Sequence, residues 1–182
     1  MNFGFKIPRR SVSLFEQGVA SGAKTSISNP DFSEFPANDS SPDGTYGWRE
    51  TSDPSNSVSI AQDVCIPPFK CVHIEAGANN GFTWIHDDLL QGGRMYEIKV
   101  LYASFVARTF SVDAFINDVA QVINQNIAFV DTIISGTCDL ENYVEETVIL
   151  DASGIGNFNF GMFLNFQTFD SIRIRRVTVN AL

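Results

Sequence analysis

Apolar residues recur at every second position from residue 57 onward, and that period sets the fold class more firmly than any other feature of the chain. In RMYEIKVLYASFVA (94–107), Tyr96, Ile98, Val100 and Tyr102 share one face while Met95, Glu97, Lys99 and Leu101 share the other. This is the signature of a strand buried on one side, since side chains alternate along an extended chain. FNFGMFLNF (158–166) gathers Phe158, Phe160, Met162, Leu164 and Phe166 on one face, and VEETVILDA (144–152) alternates again. Shorter runs are SVSIA (57–61), KCVHIEA (70–76) and FTWIH (82–86). RTFSVDAFI and VAQVI are separated only by Asn117-Asp118, a pair suited to a two-residue hairpin. SIRIRRVTV (171–179) sets Arg173 and Arg175 opposite Ile172 and Ile174, and its face switches at Arg175-Arg176, which predicts a bulge. About eight or nine strands at this spacing predict an all-β, antiparallel two-sheet sandwich. DDLLQ (87–91) and SLFEQGVAS (13–21) are the only helical turns expected, and 124–143 fits either a strand or an irregular loop.

With 182 residues, 44% of them apolar, the chain suits one domain, residues 27–182, preceded by an arm over 1–26. The arm holds Lys6, Arg9, Arg10 and Lys24 against Glu16 alone, so residues 1–28 carry +3 and the rest −12 of the −9 total. An acidic body repels phosphate backbones, which excludes a nucleic-acid partner. No run approaches the ~18 apolar residues of a membrane helix, and MNFGFKIPRRSVSLF lacks a secretory leader's apolar stretch. Cys65, Cys71 and Cys138 show no paired or zinc spacing, so free thiols are expected.

The order of landmarks resembles the galactose-binding-like jelly roll, the sandwich of many carbohydrate-binding modules appended to glycoside hydrolases. The shared features are the opening NPDF, the Pro-Asp-Gly loop leading to Trp48, LLQGGRMYEIKVLY with glycines before the long strand, the hairpin at 117–118, and the closing FDSIRIRRVTV. The resemblance spans roughly 27–180. It implies that Trp48 plugs one end of the core, that Tyr96 is structural behind Gly92 and Gly93, and that Phe32 anchors a first strand. Relatives hold a structural calcium that Asp170 with Asp31 or Glu34 would match, but Pro30 and the missing acidic residue after Phe32 depart from that pattern. No cofactor or metal is therefore expected.

His73 and His86 are the only histidines and sit in no nucleophile motif, while Asp87-Asp88 and Glu145-Glu146 are neighbours pointing to opposite faces of a strand. These features argue against an enzyme. Two functions from different classes follow. The first is a bacteriophage virion component of capsid-decoration or cement type, made in the host cytoplasm and carried on the virion surface. Its arm residues Phe3, Phe5, Lys6, Arg9, Arg10 and Phe15 would insert between major capsid or other virion subunits, with the protein a trimer or dimer. The second is a glycan-binding module, with Tyr46, Trp84, His86 and Arg94 as candidate contacts. The competing role for Trp84 and its face is core.

Overall fold

A computed structural model describes residues 22–36, 44–50, 57–62, 70–75, 81–104, 108–121, 125–129, 143–165 and 171–182. Eleven strands run in the order β1 (Trp48–Glu50), β2 (Ser57–Gln62), β3 (Lys70–Glu75), β4 (Gly81–Leu90), β5 (Arg94–Ser104), β6 (Arg108–Ile116), β7 (Val119–Ala120), β8 (Gln125–Phe129), β9 (Val144–Ala152), β10 (Phe158–Asn165) and β11 (Ser171–Ala181). One sheet has the order β1-β4-β10-β6-β7, with β8 also paired to β6, and the other has the order β2-β3-β11-β5-β9. Every strand pair is antiparallel. The architecture is the expected all-β jelly-roll sandwich.

The alternation in the sequence maps directly onto the layers. Tyr96, Ile98, Val100 and Tyr102 of β5 are buried, as are Phe158, Phe160 and Met162 of β10, and together they build the core between the sheets. In β11, Ile172 and Ile174 face the core before a register shift between Ile174 and Arg176, and Val177 and Val179 face it afterwards. The extra residue of that bulge lets an even-numbered and an odd-numbered apolar pair share one face. Asn117 and Asp118 have φ of 51° and 63°, the left-handed pair that a type I′ hairpin demands, and they join β6 to β7 as the sequence predicts.

Several expectations need correction. Asp87–Leu90 form no helical turn, because they continue β4, pairing through Leu89 and Leu90 with Asn159 and Phe158. Within the ambiguous stretch 124–143, Gln125–Phe129 is strand β8. Phe32 is fully buried but lies in a turn with φ of 59°, and the first strand begins at Trp48. Residues 13–21, Cys65, Cys138 and Asp170 lie outside the described residues, and Cys71 is buried.

The segment 22–36 is a strap that joins the layers. Lys24 bridges Leu90 of one sheet and Ser26 bridges Asn180 of the other, both within the stretch assigned to the arm. The backbone of Val177 donates to the Pro30 carbonyl at 2.8 Å and that of Ala181 to Thr25 at 2.8 Å. Under the strap, Phe32, Trp48 and Trp84 stack as a slab with centroids 4.2 Å apart between the two indoles. Trp48 is the end plug the sequence implied.

Candidate functional site

Two of the four contact candidates are interior residues. Trp84 and His86 are both 0% exposed, on the same core-facing side of β4 as Leu90. They cannot serve as a solvent-facing platform. Tyr46 is half-buried, its ring 4.9 Å from Phe35 and its carbonyl accepting from Asn29 Nδ2 at 3.1 Å. Arg94 is exposed but opens β5 in the other sheet, where it pairs in register with Ala152. The structure thus gathers Tyr46, Trp84 and His86 around the strap and leaves Arg94 apart. The arm residues Phe3, Phe5, Lys6, Arg9, Arg10 and Phe15 lie outside the described residues.

His86 is held at both ring nitrogens. Its Nδ1 accepts from the Asp88 backbone at 3.0 Å, so the proton resides on Nε2, which donates to the Ser28 carbonyl at 3.0 Å. Burial lowers its affinity for a proton below the ordinary histidine value, against the opposing pull of Asp88, Ser28 and Asp87. Asp88 Oδ2 is 3.7 Å from Nδ1, but Nδ1 is already an acceptor and the ring is neutral, so this is no ion pair. Burial acts to raise the Asp88 carboxyl, yet hydrogen bonds from Lys24 and from Ser28 N and Oγ outweigh it and hold it below its usual value. The sign for stability follows. A histidine whose folded value is depressed contributes stability above about pH 6.5, and this is lost as pH falls toward the folded value. Melting curves at pH 7.5 and 5.5 should show a lower Tm at the acid end, and His86→Gln should flatten that dependence.

The outer face of the six-stranded sheet carries Thr83, Ile85 and Asp87 of β4, Asn159, Gly161 and Phe163 of β10, and Ser111, Asp113 and Phe115 of β6. Cross-strand register gives one row of Arg49, Ile85, Gly161 and Asp113, and a second of Thr83, Phe163 and Ser111. Phe163 is 42% exposed at the centre of its row, with half-buried Thr83 and Ser111 on either side. In the first row Ile85 and Asp113 are buried although they face outward. Phe115 is also buried there, its ring lying over Gly161 where any Cβ would collide with it. Asp113 Oδ1 accepts from the Ala114 backbone at 2.8 Å.

Arg49 opens the first row from β1. Its Nε donates to Asp87 Oδ1 at 2.6 Å and its guanidinium also pairs with Asp118 in the β6–β7 turn. Hydrogen bonds to Asp118 and Asp87 raise the arginine's proton affinity further, beyond the opposing effect of burial. In a flat sheet β1 and β6 stand three strand spacings apart, about 14 Å. The Arg49 side chain thus links β1 both to β4 and to the turn that closes β6. Asn159 stiffens the same end, its Nδ2 donating to the carbonyls of His86, Asp87 and Asp88 at 3.1–3.3 Å where the β4–β10 ladder shifts register.

A signal for this face is present in the sequence. In FNFGMFLNF the odd positions are Asn159, Gly161, Phe163 and Asn165, so Phe163 is an aromatic ring at a position the alternation assigns to water. Gly161 inside a strand likewise marks a close approach, here of Phe115. Among the described residues no group of three or more His, Cys, Asp or Glu side chains is arranged to hold a metal ion.

No family model matches the chain. No curated protein matches it either. Among solved structures it is similar to TmCBM61 in complex with β-1,4-galactotriose, with a TM-score of 0.54 at 9% identity over 88% of this chain and 100% of that one. It is also similar to CBM1 of BiXyn10A, with a TM-score of 0.52 at 10% identity over 79% of this chain and 95% of that one. A family 6 carbohydrate-binding module gives a TM-score of 0.51 at 9% identity, over 80% of this chain and 94% of that one. At such identities the likeness is one of fold, and the chain is a jelly-roll sandwich built like those carbohydrate-binding modules.

Proposed function

We propose that the protein is a non-catalytic glycan-binding module and that the outer face of the six-stranded sheet is where sugar is held. The observation that carries this is Phe163, exposed in the middle of the sheet face with a threonine and a serine as its cross-strand neighbours. A pyranose has one face of C–H groups and a rim of hydroxyls. An aromatic plate takes the first, and short hydroxyl side chains beside it exchange hydrogen bonds with the second. The architecture shared with TmCBM61, which was solved with a β-1,4-linked galactotriose, is in keeping with this choice. So is the engagement of both His86 nitrogens, which leaves that residue without a free atom for acid–base work.

Phe163→Ala is expected to weaken glycan binding at least tenfold, about 1.4 kcal/mol. The melting temperature should stay near that of the parent, because the ring is partly solvated already. Affinity electrophoresis across soluble galactan, xylan and β-glucan, followed by calorimetry on the best ligand, measures this. Retention of full affinity by the variant would remove the face from consideration. The capsid-decoration expectation rests on arm residues outside the described residues, and no contact among the described residues favours it.

A further inference from the structure

Resting on the glycan proposal, we infer that this face binds the terminus of a sugar chain and not its interior, because Arg49 closes one end of it. Along β4, β10 and β6 the face passes from open to sealed within two residues. At the Thr83–Phe163–Ser111 row the central ring is 42% exposed, whereas in the next row Ile85 is 1% and Asp113 is 5% exposed. Arg49 starts at its β1 end, passes Asp87 on β4 and reaches Asp118 in the hairpin turn beyond β6. The Phe115 ring fills the space above Gly161, and Asn159 ties the β4 backbone down just beyond.

A linear polysaccharide lying along Phe163 toward this end would therefore meet a bar anchored on both sides of the sheet. To pass, it would have to break an ion pair at Asp87 whose acceptor is 38% exposed and another at Asp118 whose acceptor is 59% exposed. A chain terminus has no such requirement, since its last ring stops at the bar. There its hydroxyls can take hydrogen bonds from the outward edge of the guanidinium and give them to the two carboxylates, so Arg49 acts as a specificity-determining residue as well as a brace.

The test is stoichiometry. Linear β-1,4-galactan, β-1,4-xylan and β-1,4-glucan, each as a soluble polymer and as oligosaccharides of defined length, are titrated into the protein by calorimetry. Terminal binding predicts about one protein per sugar chain at every length, so that the sugar needed for saturation rises in proportion to chain length. Asp118→Ala, at a solvated turn position, and Arg49→Ala, with its Tm checked, remove the bar and should each raise the number of copies bound per long chain at least twofold. If the parent protein already loads long chains with copies in proportion to their length, the terminal mode is overturned while glycan binding stands. If both variants keep one copy per chain, the assignment to Arg49 is overturned. If no sugar of the panel binds, the glycan proposal falls and this inference with it.

Discussion

Trp48→Ala should lower the melting temperature by roughly 10 °C or more, corresponding to about 3–5 kcal/mol for removing a large aromatic from a packed core. Trp48 is fully buried, stacked 4.2 Å from Trp84 and edge-on to His86 and Phe160. Its Nε1 also donates to the Asn29 carbonyl at 3.3 Å, so the ring connects the strap to the sheet. The loss combines a cavity beside four ring neighbours with the loss of one of two donors to the Asn29 carbonyl, which keeps only the 3.4 Å bond from Phe32 N. Trp48→Phe separates these contributions. It keeps most of the ring area and removes only the donor, so thermal unfolding should show a much smaller loss, about 1 kcal/mol plus the area difference. A phenylalanine variant as unstable as the alanine variant would mean that the hydrogen bond to the strap, and not the plug, dominates.

Gly92→Ala is the second large effect, because a methyl at that position has no space to enter. The atoms it would meet are the backbone carbonyls of Ile155 and Gly156 in the β9–β10 turn. Backbone cannot swing aside as a side chain can, and the two turns are locked together. Gly93 N donates to the carbonyls of Ala152 and Ile155 at 3.0 and 3.1 Å, and Gly92 N donates to Asn157 Oδ1 at 3.1 Å. An added methyl must part them and break these bonds. About 3 kcal/mol or more of destabilisation is expected, read as loss of cooperative thermal unfolding or of soluble protein. A Gly92→Ala protein that melts like its parent would show that the two turns are free to separate.

The fold was readable because its determinants are local. Period-two alternation at Tyr96–Tyr102 and at Phe158–Met162 states which face is core whatever the strand order, and Asn117-Asp118 announces its own hairpin. Even the β11 bulge was visible, since the parity of Ile172 and Ile174 disagrees with that of Val177 and Val179. Asp87-Asp88-Leu89-Leu90 was misread as a turn because acidic residues disfavour strands, whereas here pairing with Asn159 and salt links to Arg49 and Lys24 hold them extended. The candidate site was harder to foresee for a different reason. Aromatic residues are ambiguous in sequence, and FTWIH reads as a platform although its Trp84 and His86 are core. The ring that does face water, Phe163, sits in a run so rich in phenylalanine that its neighbours concealed it. Arg49 is not foreseeable from its surroundings in the chain, because its partner Asp118 is 69 residues away in sequence and is brought near only by the fold.

The strap has a mechanical consequence. Thr25 and Ala181 are hydrogen-bonded neighbours at 2.8 Å in an antiparallel pairing, so the strap and the end of β11 lie side by side and run in opposite directions. Tension applied between a support on one side of the domain and a load on the other would open that junction like a zipper, each bond bearing the force in turn. Entry strap and exit strand would be peeled before the aromatic slab beneath them is strained, making the junction a fuse between the domain and whatever is attached to it.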